Sequence, residues 1–406
     1  MKKIKVTISL VLICIAFSLS AQNAVQWRYD RTGIYSKETG LLKSWPAKGP
    51  ELLWHYDGLG EGHSSVAISN NKIYITGMTE SKGYLYVFDF NGKLLNKIMY
   101  GDEWATNYVG TRATPIISNG KIYLMSGAGD LVCLDEKNLN LIWKRNIFKE
   151  FESKNIRWGF NESPLIIEEK LIITPGGKEH NIVALNKNTG NLIRSSPGKR
   201  ELSAYCSPLY IGDQEVPLIV TITASHIVGL EASTGKMLWS FESKNKNSIH
   251  ANTPIYANNK ILCTSVDKGC TMLRLSDGGR KAEIVWEIPE LDNMMGALIK
   301  IGGYIYGSSS GTNAARFWYC VDWTTGEIKY RDTNLAMGVA IFADGMLYCY
   351  TDKGEMALVK PTPEKFDIVS KFPITLGTDT HWAHPVIHNG ILYVRHGNTL
   401  MAYKVN

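Results

Sequence analysis

The chain has 406 residues, 44% hydrophobic and 20% charged, with a formal net charge of +6. That composition is ordinary for a soluble globular protein. A net charge so small, with the charged residues scattered, gives no case for nucleic-acid binding.

Residues 1–21 read as a cleaved signal peptide. Lys2, Lys3 and Lys5 precede an apolar run over 6–18 and then small residues, and that run is too short to span a bilayer. Losing the three lysines lowers the formal charge to +3. Cys14 follows Ile13 rather than a small residue, so no lipid-anchoring signal is expected and the mature chain is expected in the periplasm or secreted. No later stretch is long and apolar enough for a transmembrane segment. Residues 22–48 have no clean period and read as an N-terminal extension packed on the main body. The strand-like 51–56 (Glu-Leu-Leu-Trp-His-Tyr) carries a Trp but lacks the residues that precede that Trp elsewhere.

From Ser64 onward one unit recurs: a first strand, a turn, then three more strands. It restarts near Thr114, Ser163, Ser207, Thr253, Gly296, Gly338 and His384, a period of about 45 residues. Asn119-Gly120, Asp344-Gly345 and Asn389-Gly390 are two-residue hairpin signals. Pro115, Pro164, Pro208, Pro254 and Pro385 open first strands, where a missing N–H is tolerated. The clearest copy is 229–239, Gly-Leu-Glu-Ala-Ser-Thr-Gly-Lys-Met-Leu-Trp. Its Glu231 can bond turn amides, Gly235 takes a positive φ, and Trp239 can wedge against a neighbour while donating its N–H. No unit of this size covers its own apolar face, so neighbours must do so. The last unit stops after three strands, and 51–56 supplies the fourth. The reading is therefore all-β: an eight-bladed β-propeller of four-stranded antiparallel sheets over 49–406, closed by the N-terminal strand at 51–56.

This unit resembles the propeller repeat of the pyrroloquinoline-quinone (PQQ) enzymes, with its motif Ala-x-Asp-x-x-Thr-Gly-x-x-x-Trp. Asp135 with Trp143, Glu231 with Thr234-Gly235 and Trp239, and Asp322 with Thr325-Gly326 and Tyr330 match it. Asn186 with Thr189-Gly190 ends in Arg194 instead. The resemblance implies two kinds of relative: quinoprotein alcohol dehydrogenases, with PQQ and Ca²⁺ over the axis, and the non-catalytic BamB-like outer-membrane assembly propeller. The adjacent Cys pair many dehydrogenases use and a Cys-x-x-Cys-His haem site are both missing.

Loops leading into the innermost strands line one mouth of a propeller's channel. Here they bring His63, Arg112, Asn161, Glu162, Tyr205, His250, Asn252, Asp292, Asn293, Met337, His381, Trp382 and His384, types suited to a polar ligand. Trp104, Tyr108 and Trp158 could overhang them. The plain alternative is that such residues satisfy backbone groups or channel water. Three functions follow: a binding or scaffold module for a small molecule, glycan or protein; a quinone/Ca²⁺ oxidoreductase, with Glu162, Asn161 and Asp292 as metal candidates; and a polysaccharide lyase, with Arg112 neutralising a uronate and Tyr205 or a His as base. The protein is expected to be monomeric. Cys133, Cys206, Cys263, Cys270, Cys320 and Cys349 read mostly as buried thiols, although Cys263 and Cys270 flank a turn and could face each other. The small charge clusters at 178–180 and 244–246 read as solvated turns.

Overall fold

The structure is a computed structural model and describes residues 23–296, 298–311 and 315–406. The expected signal peptide, Cys14 included, lies outside them. Eight sheets are built on four antiparallel strands each, and in seven of them the strands follow one another in chain order from the axis outward. The innermost strands are Ala67–Ser69, Ile116–Ser118, Leu165–Ile167, Leu209–Ile211, Ile255–Ala257, Ile299–Ile301, Gly338–Ala343 and Val386–His388. Numbered in that order, they define blades 1 to 8. Among the described residues helix is confined to single turns, Arg28–Arg31, Ile147–Glu150 and the 3-10 turn Asp277–Gly279.

The hairpins between first and second strands follow from their turn residues. Asn119-Gly120, Asp344-Gly345 and Asn389-Gly390 all have both central φ values positive, the type I′ geometry that matches strand twist. The ring closes as expected. Glu51–Tyr56 pairs antiparallel with Thr399–Lys404, setting Trp54 opposite Ala402 and His55 opposite Met401. The outer edge of blade 8 is thus made by the start of the chain, and no first-to-last gap remains.

The recurring turn works as a clasp between blades. Asp322 Oδ1 accepts from the Thr324 and Thr325 amides at 2.8 Å each, and Asn186 Oδ1 holds the Asn188 and Thr189 amides in the same way. Three outer-strand tryptophans donate to a main-chain carbonyl of the next blade. Trp54 reaches Phe90, Trp143 reaches Lys187 and Trp239 reaches Gly279, at 2.9 to 3.2 Å. Arg194, which departs from the motif, donates to the carbonyls of Ser233 and Ala232 in blade 4. A guanidinium therefore reproduces the ring's interblade bond at that position.

The six cysteines are buried free thiols. A Cys263–Cys270 bridge is corrected by the register: Cys263 pairs with Thr271 and Cys270 with Thr264. The two thiols are one step out of register, so their side chains leave opposite faces of the sheet. Cys263 packs toward Cys206 and Cys270 toward Tyr319.

The N-terminal stretch does more than lie over the ring. The Ile68 amide donates to Ala24, the Ile117 amide to Val25 and the Phe342 amide to Gly33, while Ile34–Tyr35 adds a parallel strand to Gly338–Ala343. Between these, Arg28 donates to the carbonyls of Leu298 and Ala340, and Arg31 to those of Ser163, Pro164 and Pro208. One short segment thus meets the innermost strands, or the residues leading into them, of blades 1, 2, 3, 4, 6 and 7. Only a segment on the axis can do that, so residues 24–35 fill the channel.

Candidate functional site

Above the filled channel, the loops leading into the innermost strands form the mouth. One group of expected residues gathers there. Trp382 sits between His63 and Tyr108, with ring centroids 5.2 and 5.1 Å away. Arg112 holds the loop that carries Tyr108 by donating to the carbonyls of Gly110, Asn107 and Tyr108. Asp379, which sequence reasoning missed, places Oδ2 3.9 Å from His63 Nε2. That is too long for a hydrogen bond.

Both ring nitrogens of His63 are buried without a partner, as are Thr111 Oγ1, Thr380 Oγ1 and one terminal nitrogen of Arg395. Burial drives the His63 imidazole down to about 3, and the Arg112 and Arg395 cations push the same way. A neutral imidazole offers one donor and one acceptor, and neither is met within the protein. Burial also lowers Arg112 to about 10, opposed by Glu103, Tyr205 and Asp379, so it stays a cation at neutral pH. Tyr205 forms the other side of the mouth. Its ring lies 6.3 Å from Trp158, and its hydroxyl accepts from the Trp158 amide at 3.2 Å. Tyr108 and Tyr205 both have positive φ, 46° and 67°, which is costly for large side chains and recurs at functional sites. Trp104 fixes its own loop through Asn107, and Asn161 keeps a buried unpartnered Oδ1.

The other expected residues bond inside the fold, although Asn252 Oδ1 is also buried without a partner. His250 bonds Ser265 Oγ and the Ala224 carbonyl, Asn252 donates to the Asn293 carbonyl, and Asn293 donates to Ser308 while accepting from Met295 and Gly296. His384 meets Arg28 and the Met295 carbonyl. His381 stacks on His396 with centroids 3.6 Å apart and bonds the Tyr350 hydroxyl. Met337 is buried.

Two of the metal candidates are engaged inside the fold. Glu162 is fully buried and takes the Thr174 amide on both oxygens. Asp292 accepts from the Ser310 amide and enters blade 6, whereas Glu162 enters blade 3. Among the described residues no three His, Cys, Asp or Glu side chains gather closely enough to hold a metal ion. This lining is a poor match for PQQ with Ca²⁺ over the axis: Glu162 and Asp292 are each bonded inside the fold, and the axis beneath the mouth holds Trp27 and Arg28 against His384.

These buried groups predict the pH dependence of stability. Burial first, then neighbouring cations, depresses His63 and His384 to about 3, and burial depresses His250 to about 4. Their contribution is complete above the unfolded value of about 6.5 and is lost as pH falls. Burial raises Glu103 to about 7 and Glu162 to about 8. Their contribution is complete below the unfolded carboxyl range and is lost as pH rises through those values. Three histidines outweigh two carboxyls on the acid side, so urea midpoints should peak at about pH 6 to 6.5. Glu162→Gln should flatten the alkaline limb and steepen the rise between about pH 4.5 and 6.5, because the raised carboxyl acts over that whole window; an unchanged profile would refute the assignment.

Comparison with known proteins agrees with this architecture. The family model described as outer membrane protein assembly factor BamB matches residues 24–216 and 169–366. An uncharacterized protein of Rickettsia conorii is 24% identical over 234 residues, 55% of this chain and 51% of the relative. The chain thus spans about half the length of the curated relative it matches. BamB from Moraxella catarrhalis superposes with a TM-score of 0.63 at 13% identity, covering 87% of this chain and 99% of that one. A quinohemoprotein alcohol dehydrogenase from Comamonas testosteroni gives 0.67 at 12% identity, covering 95% and 80%. A europium-containing methanol dehydrogenase gives 0.65 at 13%, covering 93% and 90%. At such identities these likenesses concern the fold. No helix among the described residues is long and apolar enough to cross a membrane.

Proposed function

This chain belongs to the BamB-like family of PQQ-type propellers, and on that premise we propose that it is a non-catalytic binding module of the cell envelope, with its binding site at the axial mouth. The observation that carries this reading is the filled channel. Residues 24–35 occupy the axis, while the mouth above keeps an aromatic rim and a buried His63 with both nitrogens unmet. A mouth of this kind can seat a polar ligand or a segment of a partner. A dehydrogenase needs a converging oxygen set instead, and Glu162 and Asp292 are bonded inside the fold.

The test has two arms. Immobilised protein is exposed to a cell-envelope extract, and retained molecules are identified by mass spectrometry. Trp382→Ala should reduce retention at least tenfold, because it removes the ring that touches both His63 and Tyr108; a hot-spot aromatic is worth about 2 kcal/mol or more. In the second arm the protein is incubated with PQQ and Ca²⁺. Appearance of a tightly bound quinone absorbance with substrate oxidation would overturn the proposal, as would retention indifferent to Trp382.

A further inference from the structure

A second cavity opens beside the mouth, where the loops leading into blades 3, 4 and 5 meet. It has a volume of about 250 Å³, and its walls include Arg157, Lys246, Asn247, Ser203, Ser248 and Tyr205. Tyr205 belongs to both the cavity and the mouth.

Charge is the first clue. Two cations line this space and no carboxylate does. The adjacent acid, Glu201, is spent: Oε1 lies 2.6 Å from His226 Nδ1, and Oε2 accepts from Thr223 Oγ1 and the Ser225 amide. Arg157 is aimed by two contacts. It donates to Asn247 Oδ1 at 3.1 Å, and its guanidinium lies 4.8 Å from the centre of the Trp158 ring. Lys246 has no carboxylate within ion-pair distance among the described residues.

The second clue is an unmet bond. Ser203 is 1% exposed, lines the cavity, and its Oγ has no partner. A buried hydroxyl left so costs about 1–3 kcal/mol, which a ligand's own hydroxyl would recover. The third is backbone strain: Tyr205 and Ser248 both line the cavity with positive φ, 67° and 53°. Such strain persists where the surroundings hold it for a purpose.

We propose that this cavity binds one acidic sugar unit, a hexuronate, with its carboxylate between Arg157 and Lys246 and its hydroxyls on Ser203 and the neighbouring amide and hydroxyl side chains. The volume corresponds to roughly eight waters, enough for one sugar ring. An acidic peptide would have to reach Ser203 through its main chain, whereas a hexuronate carries several hydroxyls on the same rigid ring as its carboxylate, so the lining favours the sugar. The aromatic wall of Tyr205 suits a ring's apolar face. This site deepens the binding role proposed above and rests on it.

Titration calorimetry of the full chain with D-galacturonate and D-glucuronate tests the assignment, against D-galactose and glutarate as controls. A hexuronate should bind saturably, and at least tenfold more tightly than galactose or glutarate. Lys246→Ala, a substitution of an exposed side chain, should weaken hexuronate at least fivefold with an unchanged melting temperature, and Arg157→Ala at least tenfold. Ser203→Ala should weaken it while leaving glutarate unaffected. Trp382→Ala should leave hexuronate binding intact, because it acts at the mouth. Glutarate binding as tightly as hexuronate would show an unselective carboxylate site, and no saturable heat would remove the site; either result overturns the inference. If Trp382→Ala still lowers retention from envelope extract, only this inference fails and the binding role stands.

Discussion

Arg28→Ala should lower folding stability by about 3 kcal/mol, and Arg31→Ala by a similar amount. Arg28 is 2% exposed and meets the carbonyls of Thr32, Leu298 and Ala340 and the His384 ring. Arg31 meets three carbonyls from blades 3 and 4. Burial lowers both guanidinium groups to about 10, so each is still charged at neutral pH but gives up part of its hydration. Charge-assisted bonds to dry carbonyls offset that loss. Truncation removes the donors and leaves the carbonyls unpaired on the axis, each at about 1–3 kcal/mol. Arg28→Lys separates charge from geometry: an ammonium keeps the charge but cannot span carbonyls from two blades with a planar fork. It should recover less than half of the loss. Urea unfolding midpoints provide the measurement. Midpoints equal to the parent's would mean that the segment does not sit in the channel, and the case for a binding mouth above a filled axis would go with it.

The axis also shows where sequence reading stops. Blade number, the hairpin turns and the seam at 51–56 were all legible, because each depends on local chemistry repeated in phase: an Asx-type turn, a positive-φ glycine, a tryptophan. Arg194 looked like a defect in that pattern, yet its donors do the work of the missing indole. Nothing periodic marks Arg28 or Arg31. Their partners are carbonyls from distant blades, and a carbonyl has no signature in sequence.

The mouth was legible in outline, since its residues directly precede the first strands. Which of them remain free for a ligand was not. Glu162, His250, Asp292, Asn293 and His384 are polar and precede first strands as His63 does, but they bond inside the fold. Asp379, Arg157 and Lys246 sit in longer loops with no fixed offset from a strand. Lys246 in particular read as one more solvated turn lysine, and only the meeting of three loops gives it a cavity to line.

Trp54→Ala should cost about 2–3 kcal/mol, less than the usual range for a fully buried large aromatic because Trp54 is half-buried, and its effect should be local to the seam. Trp54 is the one indole that joins the start of the chain to both neighbours. It donates to the Phe90 carbonyl at 2.9 Å and lies 6.4 Å from Phe88 in blade 1 and 6.1 Å from Tyr393 in blade 8. Gly92 in the clasped turn has φ 80°, and a Cβ there would come within 2.5 Å of the indole, so the turn and the ring fit as a pair. Trp143→Ala removes an equivalent clasp, with its bond to Lys187, but within unbroken chain on both sides. Its loss loosens two blades that covalent connection still holds together. At the seam, Glu51–Tyr56 is held to blade 8 by the ladder with Thr399–Lys404 and its side-chain packing. Once the clasp is gone, the strand can peel away as a unit and expose an edge. Native-state hydrogen exchange should therefore speed first in Glu51–Tyr56 and Thr399–Lys404 for Trp54→Ala, and spread across blades 2 and 3 for Trp143→Ala. Equal exchange patterns in the two variants would mean that the ring does not depend on its seam.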